Sequence, residues 1–62
     1  MAVRTQKERS EATTSELVEA ARALFAADGY AATSLDDVVR RAGVTKGALY
    51  HHFGGKRDLF LA

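Results

Sequence analysis

None of the 62 residues is a cysteine, which excludes a disulfide framework and a thiolate metal site. Packing must hold the fold, and a reducing compartment suits it. No apolar run approaches the ~18 residues of a membrane span, and the first residues lack the apolar core of a signal peptide. The chain reads as soluble and cytoplasmic, with no membrane partner. Catalytic equipment is equally thin. Ser10, Ser15 and Ser34 serve better as caps or linker residues than as nucleophiles. Asp36 and Asp37 are neighbours that point in different directions on a helix, which argues against a two-carboxylate site. His51 and His52 diverge by about 100° on a helix and have no third ligand near them, which argues against a metal site. The expectation is a protein that is not an enzyme and needs no cofactor.

What is present is 47% hydrophobic residues, enough for one small domain close to the lower limit of a self-sufficient core. The net charge of +1 conceals a strong segregation. Residues 1–9 hold Arg4, Lys7 and Arg9 against Glu8, residues 10–39 hold six acids against Arg22, and residues 40–62 hold five cations against Asp58. Positive charge therefore flanks the stretch around residues 45–53 on both sides, as a phosphate-binding surface requires.

Along the chain, residues 1–12 show no apolar periodicity and read as a flexible basic arm able to reach phosphates or a minor groove. Thr13-Thr14-Ser15-Glu16 fits a capping box that opens a first helix running to about Asp28, although Ser10 could cap a longer version. Leu17, Ala21, Leu24 and Phe25, with Val18 beside them, give that helix its apolar stripe. Gly29 is expected to end it in a left-handed cap, with Tyr30 packing back on Phe25. Ser34 caps a second helix, Asp36 and Asp37 favour its positive end, and Leu35, Val38, Val39 and Ala42 form its inward face.

Gly43 then supplies the positive φ of a tight turn and Thr45 the cap of a third helix over 45–53. Leu49 and Phe53, four apart, anchor that helix, while Lys46, Tyr50 and His51 fall on its other faces. A short, donor-rich helix behind a three-residue turn suits insertion into a DNA major groove. Gly54-Gly55 breaks the chain, and Lys56 to Ala62 begins a fourth helix that has no stop signal and ends on an apolar run. The fold class expected is all-α: a three-helix, homeodomain-like helix-turn-helix bundle over 13–62 with the start of a fourth helix.

The run through Leu24-Phe25, Gly29-Tyr30, Thr33-Ser34, Ala42-Gly43-Val44, Lys46-Gly47, Leu49-Tyr50, Phe53, Lys56 and Leu59 resembles the DNA-binding domain of the tetracycline-repressor (TetR) family of bacterial regulators. The resemblance covers roughly residues 13–62. It implies a bacterial transcriptional regulator, more often a repressor, that binds operator DNA. It also implies a further helical domain, absent here, for homodimerisation and for a small-molecule inducer. Cytoplasmic localisation, at the nucleoid when bound to DNA, goes with that reading.

Carried over by position, the resemblance implies that Thr33 or Ser34 holds a phosphate at the start of the second helix, and that Thr45, Lys46, Gly47 and Ala48 face the groove. Tyr50 and His52 would bond phosphates, His51 would lie at base edges or a phosphate, and Lys56 would clamp the backbone from the fourth helix. The chemistry is apt. Helix N-termini, a phenol and an ammonium suit phosphate oxygens, Lys46 can donate to guanine O6 and N7, and the Ala48 methyl can meet a thymine methyl. Because Gly47 and Ala48 are small, direct readout is thin and specificity leans on DNA shape or on the arm. The rival reading is a helical protein-interaction module that docks a partner through its apolar last helix. Salt-dependent binding to duplex DNA separates the two.

Overall fold

A computed structural model of the chain describes residues 6–62, with side chains described from Ser10 onward. It contains helices α1 (Gln6–Asp28), α2 (Leu35–Ala42), α3 (Lys46–His52) and α4 (Lys56–Leu61), and no strand among the described residues. The all-α expectation holds. α1 packs against all three of the others, most extensively against α2.

The core takes Leu17, Ala20 and Ala21 from α1, Val38 from α2, Leu49 from α3 and Leu59 from α4. Each large member contributes about 1.5–3 kcal/mol of burial. Leu24, Phe25, Leu35, Val39, Ala42, Val44 and Phe53 pack around them, half-buried. With so few side chains at its centre, α2, α3 and α4 each depend on a single fully buried anchor.

The boundaries follow local chemistry. Gly29 stands at φ +87° with its N–H on the Phe25 carbonyl at 2.9 Å, and the Tyr30 ring returns to within 5.4 Å of Phe25. Ser34 and Thr45 both hold extended backbone, and their hydroxyl oxygens accept from the N–H of Asp37 and Ala48, each at 3.1 Å. At the end of α2, Gly43 stands at φ +73°, its N–H donating to Arg40 and the next, from Val44, to Val39. These two bonds form the paired closure that a left-handed residue permits and that turns the chain directly into α3. At α4 the Asp58 carboxylate accepts from the Gly54 N–H at 2.7 Å, and a Cβ on Gly54 would come within 2.6 Å of that same oxygen.

The start of α1 differs from the sequence expectation. Residues 6–12 are helical, so neither Thr13 nor Ser10 is a cap, and the arm assigned to 1–12 is helix from Gln6 onward. The Thr14 hydroxyl instead donates to the Ser10 carbonyl, one turn back, at 2.8 Å. The segment Gln6–Ala12 is made largely of good helix formers, and extending an existing helix avoids the cost of nucleation. Apolar periodicity marks the part of a helix that packs, not its full length. Arg4 lies outside the described residues, as do the side chains of Lys7 and Arg9.

Candidate nucleic-acid interface

α3 is seven residues long and held from one side. Leu49 is fully buried and Phe53 half-buried, while Lys46, Gly47, Tyr50 and His51 are exposed. At about 100° per residue these four occupy one arc of roughly 140°, and Leu49 lies outside it. The surface they form offers an ammonium, an open backbone, a phenol and an imidazole side by side. Ala48 is half-buried at the edge of this arc, and the Thr45 hydroxyl keeps its own proton free to donate after accepting from Ala48.

Gly47 has no steric reason inside the protein. A Cβ there would meet only the Thr45 hydroxyl oxygen at 3.9 Å, yet glycine costs a helix about 1 kcal/mol relative to alanine. His52 stands about 200° around α3 from Tyr50 and is half-buried, with its ring in edge contact with His51 at 5.0 Å between centroids. Tyr50 and His52 therefore serve opposite flanks of the helix rather than one.

Of the two candidates at the start of α2, only Ser34 is open. Thr33 is buried, and its hydroxyl donates to the Gly29 carbonyl at 2.8 Å, fastening the α1–α2 loop. The phosphate role considered for Thr33 is not supported by this placement, because the side chain is spent on the fold. Ser34 is exposed and retains a hydroxyl proton beside the N-terminus of α2.

Two partners of the cationic residues were not legible in the sequence. The Lys46 ammonium lies 2.7 Å from Asp36 Oδ1, joining the first turns of α2 and α3. The hydrogen bond from Lys46, and then its charge, hold the Asp36 carboxyl below its ordinary value, and the same contact raises Lys46. The Lys56 ammonium sits 4.4 Å from the centre of the Tyr30 ring and 3.5 Å from the Ala31 carbonyl, beside the loop that leads into Ser34. Both cations are thus held in place, Lys46 by α2 and Lys56 by the α1–α2 loop. Among the described residues, no three His, Cys, Asp or Glu side chains converge as metal ligands, and no helix is long and apolar enough to cross a membrane.

The profile of the bacterial regulatory proteins of the tetR family matches residues 17–62, which include the whole turn and α3. The chain belongs to the tetR family. It is 47% identical over 57 residues to the transposon Tn10 TetC protein of Escherichia coli, a match covering 92% of this chain and 29% of that protein. It is 43% identical over 60 residues to the HTH-type transcriptional regulator TtgR of Pseudomonas putida, covering 97% and 29%. It is 47% identical over 60 residues to the probable acrEF/envCD operon repressor of E. coli K12, covering 97% and 27%. The chain spans less than a third of the length of each of these relatives.

Proposed function

We propose that this chain is the operator-reading part of a transcriptional repressor, with α3 entering the major groove. The observation that carries the reading is the outward arc of Lys46, Gly47, Tyr50 and His51 on a short helix anchored by Leu49 behind the Gly43 turn. Thr45, Lys46, Gly47 and Ala48 face base edges at the start of α3. Ser34, Tyr50, His52 and Lys56 bond phosphates on either flank, and His51 lies at base edges or a phosphate. Repression as the sign of regulation is supported by the relative named as an operon repressor.

Since the three relatives named above are more than three times as long, the reading extends to a helical remainder that pairs two such readers and binds a small-molecule inducer. Two recognition helices must lie roughly 34 Å apart to reach successive major grooves, which a symmetric dimer provides. The protein works in the cytoplasm, at the nucleoid when bound, and it has no catalytic role. Fluorescence anisotropy with duplex DNA over a salt series tests the core of this reading. A linear fall of log affinity with log salt, with tighter binding to duplexes enriched from a random pool than to the pool, is the expected result. Binding that is indifferent to salt would instead favour a protein-interaction module.

A further inference from the structure

Lys46 is the only cation in the first turn of α3, and its ammonium lies 2.7 Å from Asp36 Oδ1 on the neighbouring helix. The two side chains are 51% and 63% exposed, so the pair adds little to folding. We propose that Asp36 is a specificity-determining residue of the DNA interface, acting by positioning Lys46. This inference rests on the reading of α3 as the helix that enters the groove.

The reason lies in the difference between a lysine and an arginine. An arginine presents a rigid fork that matches guanine by itself, whereas a lysine ammonium is a point charge on a flexible stem and is drawn to any nearby phosphate. Asp36 removes both faults. It accepts one of the three ammonium N–H donors and so fixes the position of the other two, which are left for acceptors such as guanine O6 and N7. It also makes the pair nearly neutral toward a phosphate, so that Lys46 adds little to sequence-independent attraction. Asp37, the next residue, has no such contact; its backbone N–H donates to Ser34 and its side chain is exposed. The two carboxylates thus share the helix-end position but differ in what they touch.

The test enriches randomised duplex DNA on the wild-type chain, then measures affinity for the enriched duplex and for the unselected pool over a salt series. Asp36→Asn is expected to raise affinity for the pool several-fold and to steepen the slope of log affinity against log salt by about 0.9. It is also expected to lower the ratio of enriched to pool affinity by about tenfold, a share of what one good base contact supplies. Asp36→Glu, which returns the carboxylate one methylene further out, should recover part of that ratio. Asp37→Asn removes the same charge next door and should leave the ratio unchanged. In a Lys46→Ala background, Asp36→Asn should no longer alter the ratio.

An unchanged ratio in Asp36→Asn, with a wild type that does enrich a sequence, overturns this inference and leaves the interface reading standing. A change that persists without Lys46 overturns it as well, because Asp36 would then meet the DNA itself. A wild-type chain that enriches no sequence overturns the interface reading and the inference together.

Discussion

The Lys56 ammonium rests 4.4 Å from the centre of the Tyr30 ring, so the cation that opens α4 is seated on the loop between α1 and α2. Tyr30 is itself braced by Phe25 and Phe60, with ring centroids 5.4 and 5.2 Å away. Tyr30→Leu keeps an apolar residue but removes the ring face, a loss of about 0.5–1 kcal/mol in cation–π attraction. Duplex affinity should fall slightly and equally on all sequences. Lys56→Ala should fall further, again equally, and reduce the salt slope by about 1. Anisotropy titrations on enriched and random duplexes check both, and a sequence-selective loss in Lys56→Ala would show that it reads bases.

Gly47 should separate stability from function. With 3.9 Å to the nearest atom, an added methyl is accommodated, and Gly47→Ala should stabilise the helix by up to about 1 kcal/mol. The same methyl stands on the surface that meets the groove, so duplex affinity should fall while the melting temperature rises. Thermal unfolding and anisotropy on one preparation measure the two effects. A variant that is more stable and binds as well as wild type would remove Gly47 from the interface.

The Asp36–Lys46 pair has a defined pH window. Asp36 is lowered from 3.8, so its contribution is present above that value and disappears as pH falls through the lowered one. Lys46 is raised from 10.5, so its contribution is present below that value and is lost as pH rises through the raised one. The stability difference between wild type and Asp36→Asn should therefore be small and flat through neutral pH and shrink at both extremes. Denaturation at a series of pH values checks this, and a difference that changed between pH values of about 6 and 8 would implicate another group.

Much of this architecture was legible because it rests on residues with few alternatives. Gly29 and Gly43 announce positive φ, and both have it. Ser34 and Thr45 announce caps, and both accept from the third residue on. The spacing of Leu49 and Phe53 identified the anchored side of α3. The start of α1 was not legible, because Gln6–Ala12 is helix without an apolar face and Thr13 to Glu16 imitates a cap. Thr33 and Ser34 are adjacent hydroxyl residues, and only the path of the α1–α2 loop decides that one is buried and the other open. The partners of Lys46 and Lys56 depend on how helices distant in sequence come together. Charge pattern gives the sign of a surface but not the contacts within it.

The most direct test of α3 as a reading helix is Lys46→Ala, titrated on an enriched duplex and on random duplex DNA, with Leu49→Ala as the folding control. Leu49 is fully buried, so Leu49→Ala should cost about 2–5 kcal/mol of stability. Lys46 is exposed, and its removal should leave the fold intact. Lys46→Ala is predicted to lose about 5- to 150-fold in affinity for the enriched duplex and much less for random DNA. Equal losses on both would contradict the account and make Lys46 a backbone clamp like Lys56.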